Sequence, residues 1–440
     1  MNEGIQKSEK TNPYSVVIGI DWADQKNDMC IMERETGAIR QLEVKQDAVA
    51  LHEFAVEMRE RYGREGKRIA MVVDQKRGGL INFLMGLEFV DIYPLHAARA
   101  KDYRRALYPS GAKSDPVDAQ IHAEFFLKHP ERFTQCLKPD TAQTRELNLL
   151  CEHRRGFVDQ GTSFEQQLSS SLKQYNPLII KLFDDLGSPI CLDFILRWPT
   201  LGKVQRGSEG VLRKFFYKHN SRSAEKIQER LELIRTERAL TEDEATIAVY
   251  SRKVQTLARQ LLALHPQIEA YEKRIKELFR THPDAPVFSG IPGAGDVLSP
   301  RLLCAYGTDR ARFEMPRNMT QWNGSAPVTI ASGQDKRSGQ PKRKVTWRWA
   351  APTFIRQTFV EFAKHSTRNC DWAKAFYQIK EEEGKPRQTI LRALALKWTR
   401  ILFRCWQNGE SYDEQKYLQS LQRRGSPVWK RLQQLNANAL

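Results

Sequence analysis

The chain has 440 residues, 40% hydrophobic and 10% aromatic, enough to bury cores in two or three domains. Seventy Lys and Arg against 53 Asp and Glu give a net charge of +17, which calls for a polyanionic partner, nucleic acid or an acidic membrane surface. No run approaches the roughly 18 uninterrupted apolar residues of a transmembrane helix, the N-terminus MNEGIQKSEKTNPYS lacks an apolar signal core, and the seven scattered cysteines have no C-x-x-C spacing. Neither a zinc site nor a disulfide frame is expected, the histidines form no metal-ligand pair, and the compartment expected by elimination is the cytoplasm.

Residues 1–13 are expected to be disordered. Tyr14 to Trp22 (YSVVIGIDW) is a short apolar run, and Asp28 to Arg34 and Ile39 to Val44 read as two further strands. Val49 to Arg61 has helical spacing, Arg68 to Val73 (RIAMVV) is a buried-strand pattern, Leu80 to Phe89 a helix and Val90 to Tyr93 a last short strand. Three strands followed by alternating units is the order of an RNase H-like α/β domain, expected over residues 14–140. Actin-like ATPases share that order, so topology alone does not choose a function.

Residues 141–282 read as helical, with a more irregular section around Pro189 to Gly210. Ile247, Tyr250, Val254, Leu257, Leu261, Leu264, Ile268, Tyr271, Ile275 and Leu278 follow alternating steps of three and four, a heptad seam from which Pro266 is displaced. The seam fits either a helix packed on its own domain or a coiled coil between subunits. The third region, 283–415, is rich in Gly and Pro up to Gln340. It then reads as mostly helical, over Lys344 to Phe362, Trp372 to Glu383 and Gln388 to Gln407, and residues 416–440 read as a C-terminal tail.

Carboxylates stand at the ends of two of the strands. Asp21 closes the first and Asp74 ends the fourth (MVVD), which would lie beside it in an RNase H-like sheet. Asp115 and Asp118, in Lys113-Ser114-Asp115-Pro116-Val117-Asp118-Ala119, are three apart, which at a helix start places both on one face about 5–6 Å apart between Cβ atoms. Four converging carboxylates suit two hard divalent cations, Mg²⁺ or Mn²⁺, holding a phosphate for transfer. Each acid also has a plainer reading: Asp115 before Pro116 resembles a helix cap, Asp118 favours the helix dipole, and Asp74 suits a turn.

Ser289-Gly290-Ile291-Pro292-Gly293-Ala294-Gly295 lies between helix-like segments and resembles the hairpin of a helix-hairpin-helix unit, in which backbone N–H groups, here those around Gly293 and Gly295, hold DNA phosphates. A plain Gly/Pro turn is the alternative. Beyond Gly324-Ser325-Ala326-Pro327-Val328-Thr329-Ile330-Ala331-Ser332-Gly333 comes a basic stretch, Lys336, Arg337, Lys342, Arg343, Lys344 and Arg348, interleaved with Trp347 and Trp349. With Lys113, these cations are candidate nucleic-acid contacts, and the Trp rings serve either for stacking or for a core. No Ser/His/Asp arrangement of the hydrolase type is visible.

Gly19-Ile20-Asp21, an acid at the end of a later strand, and Lys113-Ser114-Asp115-x-x-Asp118-Ala119 resemble the DEDD domain of insertion-sequence 110 family transposases. Gly290-Ile291-Pro292-Gly293-Ala294-Gly295, Trp322-Asn323-Gly324-Ser325-Ala326-Pro327 and Ser332-Gly333 resemble their C-terminal domain, in the same order. The resemblance spans about residues 14–175 and 283–410. It implies a first domain similar to RuvC-type resolvases and a serine-bearing second domain. Ser332 would attack a DNA phosphate and form a phosphoserine intermediate, while Asp21, Asp74, Asp115 and Asp118 hold Mg²⁺ on that phosphate. Acids and serine would come from different subunits of a homodimer or homotetramer, for which the heptad supplies a physical basis. A structured bridge RNA would pair with target and donor DNA, in a bacterial or archaeal, nucleoid-associated setting. The sequence departs from the family pattern in having Asp74 where Glu is usual, one methylene shorter, and in a longer segment around residues 180–245.

Three other readings compete. An actin-like sugar or acetate kinase would need glycine-rich phosphate loops in two halves, and no second half is visible. A structure-specific metal-dependent nuclease would use the acids alone, leaving Ser332 structural. An inactive descendant would keep only nucleic-acid binding.

Overall fold

The computed structural model describes residues 14–108, 114–133, 136–334 and 341–437. Residues up to Pro139 form one compact unit and those from Asp140 onward a second.

In the first unit β1 (Val16–Trp22), β2 (Lys26–Glu33) and β3 (Ile39–Lys45) run as an antiparallel meander, followed by α1 (Ala48–Tyr62), β4 (Ile69–Val73), α2 (Gly79–Met85), β5 (Val90–Pro94), α3 (Ala97–Leu107) and α4 (Asp115–Lys128). The sheet order is β3-β2-β1-β4-β5, with β4 parallel to β1 and β5 parallel to β4. This is the order expected for an RNase H-like start. The central β1 and β4 are buried on both faces, as parallel neighbours covered by helices must be, whereas β3 at the edge buries only Val44.

Alternation along the strands divides the core in two. Ile18, Ile20, Met71 and Val73 pack with Leu51, Phe54, Leu80 and Leu84 of α1 and α2 on one face. Val17, Ala70 and Val72 pack with Ala119, Ala123 and Phe126 of α4 on the other.

The second unit is almost wholly helical: α5 (Ala142–Tyr175), α6 (Leu178–Leu182), α7 (Pro189–Arg197), α8 (Leu201–Gln205), α9 (Glu209–Lys218), α10 (Ala224–Thr236), α11 (Glu244–Arg280), α12 (Ala285–Phe288), α13 (Gly295–Tyr306) and α14 (Pro316–Trp322), then the hairpin β6 (Val328–Gln334) with β7 (Pro341–Thr346), then α15 (Thr353–Asn369), α16 (Asp371–Glu382), α17 (Arg387–Asn408), α18 (Glu414–Arg423) and α19 (Pro427–Ala437). The long helices α5 and α11 lie antiparallel. Arg154 bonds Glu272, Phe157 meets Tyr271 edge-on at 5.3 Å, and Leu264 lies over Gly161.

The heptad seam of α11 is therefore filled from within the chain, the plainer of its two sequence readings. At one end of the pair, Leu168 and Leu172 of α5 and Val254, Leu257 and Leu261 of α11 join a core made with α6 to α10. At the other, Leu147, Ile275 and Leu278 join the core of α12 to α19. Between the two, Leu264, Ile268 and Tyr271 are half-buried, and the helix continues through Pro266.

Several sequence expectations are corrected. The irregular section at Pro189 to Gly210 is mostly helix, and segment 180–245 builds a core with one end of the α5–α11 pair. Lys344 belongs to β7 rather than to a helix: Val345 and Thr346 are β-branched, and Pro352 disfavours helix in the residue before it, so α15 starts at Thr353. Residues 416–440, read as a tail, include most of α18 and all of α19, which bury Leu421, Val428 and Leu432 against the last core.

Candidate active site

Asp21 follows Val17 and Gly19 at even spacing in β1, and Asp74 follows Ala70 and Val72 out of β4, so both acids fall on the face that α4 covers. The strands are in register, Ile20 opposite Val73, which leaves Asp21 and Asp74 side by side at the carboxyl end of the sheet. Helix α4 reaches this edge because β1 lets it in. A Cβ on Gly19 would lie 2.0 Å from the carbonyl oxygen of Ala119 and 2.6 Å from the nitrogen of Ala123, so the helix backbone rests directly on the strand.

His122, one turn beyond Asp118, locks this contact. It is almost fully buried, and its Nδ1 lies 2.8 Å from the carbonyl oxygen of Ile20, the residue before Asp21. Burial lowers its pKa; the Ile20 bond and then the charges of Asp74 and Asp118 pull the other way. Nδ1 therefore carries the proton in the neutral ring and donates it to Ile20.

Asp118 is half-buried and faces Arg104 of α3, whose Nη1 donates to both carboxylate oxygens at 2.7 and 2.8 Å. Asp115 is the first residue of α4 and is exposed; Ser114, not Asp115, takes the N-cap position. Lys113 lies outside the described residues.

His122 thus feels the charges of Asp74 and Asp118 and bonds the backbone of the residue before Asp21, while Asp115 stays exposed at the helix start. The oxygen donors of these acids suit a hard cation. Among the described residues, however, no three acidic, His or Cys side chains close round one ion, and Arg104 occupies Asp118. Sequence reasoning missed His122 and Arg104. The first carried a usable signal, four residues after Asp118 and so on its face of the helix. Arg104, 14 residues before Asp118 on another helix, carried none.

In the second unit the turn Ser289–Gly295 joins the short α12 to α13, which fits both sequence readings of it, with Gly290, Gly293 and Gly295 at φ 72°, 85° and 55°. A Cβ on Gly293 would lie 2.7 Å from the backbone of His365 and Ser366, so the turn sits on α15. No side chain caps α13, whose first amides lie in this turn.

The stretch Trp322–Pro327 anchors the strand pair beyond it. Asn323, buried, donates from Nδ2 to Thr399 Oγ1 of α17 (2.8 Å) and accepts from the Ser325 amide (2.9 Å), while Gly324, at φ 76°, fits under Ala351. Strand β6 leaves this anchor and pairs with β7 up to Ala331 opposite Arg343, after which the register shifts before Gln334. Ser332 and Gly333, at φ 56°, lie in that irregularity. Bulges of this kind recur beside active sites.

For Ser332, Lys342, Arg343 and Lys344 the strand position is described and the side chain is not; Lys336 and Arg337 lie outside the described residues. Just beyond β7, Trp347 and Trp349 pack with centroids 4.7 Å apart and planes tilted by 33°, and the guanidinium of Arg356 lies 3.5 Å over Trp347. Trp349 is 76% exposed, so the core reading fails for that ring. Arg348 is half-buried, and its Nε has no hydrogen-bond partner among the described residues.

Comparison with known proteins fits both parts. Residues 18–177 match the DEDD domain profile of the IS110 type, described as a transposase, and residues 285–378 match the profile described as transposase of the IS116/IS110/IS902 family. A mini-circle protein of Streptomyces coelicolor named as a putative transposase for IS117 is 24% identical over 91% of this chain and 96% of its own length. The 42 kDa protein of insertion element IS900 from Mycobacterium paratuberculosis is 24% identical over 77% of this chain and 83% of its own. The 44.8 kDa protein of IS116 from Streptomyces clavuligerus is 23% identical over 67% and 71% respectively.

Proposed function

From a chain that carries the two transposase domains of the IS110/IS116 type, we propose a DNA recombinase that cuts and rejoins strands through Ser332, with Asp21, Asp74, Asp115 and Asp118 as its metal-holding acids. The observation that supports the reading is the register that ends β1 and β4 at Asp21 and Asp74, with His122 bonding Ile20 and feeling the charges of Asp74 and Asp118. Gly19 and His122 hold α4 against β1, and so fix the acids of the helix relative to those of the strands.

Bound Mg²⁺ or Mn²⁺ would polarise the phosphate and stabilise the charge that grows on its oxygens. The hydroxyl of Ser332 attacks phosphorus: an Oγ–P bond forms, one P–O ester bond of the strand breaks, and the serine proton goes to the departing oxygen. Attack by the hydroxyl of another strand reverses the chemistry and completes the exchange. The acids and the serine come from different subunits, so the working enzyme is a homodimer or homotetramer. A structured bridge RNA supplies sequence choice by pairing with donor and target DNA. A charge of +17, together with the exposed Trp349 beside Trp347 and Arg356, supports a surface that holds nucleic acid.

The test uses purified protein, its co-expressed flanking RNA, Mg²⁺ and DNA bearing the element's ends. A covalent protein–DNA adduct is expected on a denaturing gel. It should vanish in Ser332→Ala and in Asp21→Asn. Metal-dependent cutting without an adduct would instead make the chain a nuclease working through its acids alone.

A further inference from the structure

A basic groove lies among the last helices. The end of α15, α16 and the first turn of α17 enclose a cleft of about 390 Å³, lined by Lys364, Thr367, Arg368, Tyr377, Glu381 and Arg387. Lys364 and Arg368 are four apart and share one face of α15, while Arg387 opens α17, whose N-cap Pro386 provides no side-chain cap. All three cations are exposed, and among the described residues none has an ion-pair partner. The neighbouring acids are engaged elsewhere, Glu383 with Lys380 and Glu382 with Arg431, which leaves Glu381 as the single carboxylate of the lining. Residues 353–408, from the start of α15 to the end of α17, carry eleven Lys and Arg against five Asp and Glu. Like charges crowded in a concavity repel one another, and an anion relieves that repulsion.

A second contact fixes the helix that carries two of these cations. Because Gly293 has no side chain, the hairpin Ser289–Gly295 lies on the α15 backbone at His365 and Ser366, immediately beside Lys364. The turn that holds the uncapped first amides of α13 thus packs on the same helix that carries Lys364 and Arg368.

We propose that this groove is a track for the sugar–phosphate backbone of duplex DNA. Lys364, Arg368 and Arg387 hold successive phosphates, and the Tyr377 hydroxyl adds a donor. Contacts of this type set affinity and orientation without reading sequence. A concave cleft lined by these polar and charged groups does not suit a membrane surface, which takes an apolar face flanked by charge. The choice of DNA rests on the recombinase reading above.

The experiment follows binding of the full-length protein to a labelled random-sequence duplex by fluorescence anisotropy, across salt from about 50 to 300 mM. The groove variant is Lys364→Ala/Arg368→Ala/Arg387→Ala. A control, Lys203→Ala/Lys218→Ala/Lys226→Ala, removes the same charge from exposed positions on α8 to α10. The groove variant is expected to lose tenfold or more in affinity, and its salt slope to fall by about 2–3, close to 0.9 for each phosphate contact removed. The control should stay within twofold of the native protein. Equal losses in the two variants would overturn the groove while leaving the recombinase reading in place. A loss confined to an RNA duplex of the same length would overturn the choice of DNA. No binding of DNA by the native protein at any salt would sink the recombinase reading, and the groove with it.

Discussion

Gly19 sits where a helix backbone crosses a strand backbone, and one methyl group is enough to test that contact. Gly19→Ala must push α4 off β1, since no flexible side chain can yield to the new Cβ. A loss of about 3 kcal/mol is expected, the upper part of the range for overpacking, read from denaturant unfolding. A second residue-scale expectation concerns acidity. His282, buried between α11 and α12, lies 2.9 Å from Thr144 Oγ1 through Nε2 and accepts from the Asp284 amide through Nδ1 at 3.0 Å, an arrangement that needs the neutral ring. Burial lowers its pKa below the ordinary value, against the pull of Asp284 and Asp140. The unfolded chain therefore takes up the proton first. The stability His282 provides is complete above about pH 6.5 and is lost as pH falls towards the folded value. His282→Gln should flatten the decline in melting temperature below that pH; an unchanged decline would assign it to other groups. At this scale the strand-end acids were legible because a carboxylate closing an apolar run stands out. His122 offered only its spacing from Asp118, and Arg104 offered nothing, because an Arg on another helix looks ordinary until the fold brings it to Asp118.

Helix α3 buries none of its residues and is tied to α4 through the Arg104–Asp118 pair and the edge contact of Tyr103 with Phe125. On the proposed chemistry Arg104 and a metal ion compete for the same two oxygens. Arg104→Met should therefore tighten Mn²⁺ binding about fivefold in the absence of DNA, the equivalent of an ion pair worth roughly 1 kcal/mol, as followed by the EPR signal of free Mn²⁺. Weaker binding would instead make Arg104 a support that holds Asp118 in place. The turn after β7 gives another element-scale expectation. Trp349→Ala removes an exposed ring while leaving Trp347 under Arg356, and affinity for single-stranded nucleic acid should drop by about 1–3 kcal/mol. Periodicity made α11 legible almost end to end, because ten apolar positions kept one face. It did not name the partner: a heptad fixes which side of a helix is covered, and α5 inside the chain satisfies it as well as a second subunit would. The hairpin of β6 and β7 escaped notice because β6 gives way after Ala331 to small polar residues and β7 is basic, so neither keeps the alternation that marks a buried face.

Taken as a whole, the molecule has two compact units, and the proposed chemistry divides between them, the acids before Pro139 and the Ser332 strand after Asp140. Each unit has cores of its own. Residues 14–139 and 140–437, produced separately, should each unfold cooperatively on heating; a first piece without a transition would show that the sheet depends on the rest of the chain. The second unit is itself divided, with one helical core at each end of the α5–α11 pair. That pair works as a ruler. A helix advances about 1.5 Å per residue, so removing seven residues from both helices between the cores shortens the span by about 10 Å while every remaining seam position keeps its face. Separation is thus an adjustable length, which can drift among relatives or be reset by design without redrawing either end.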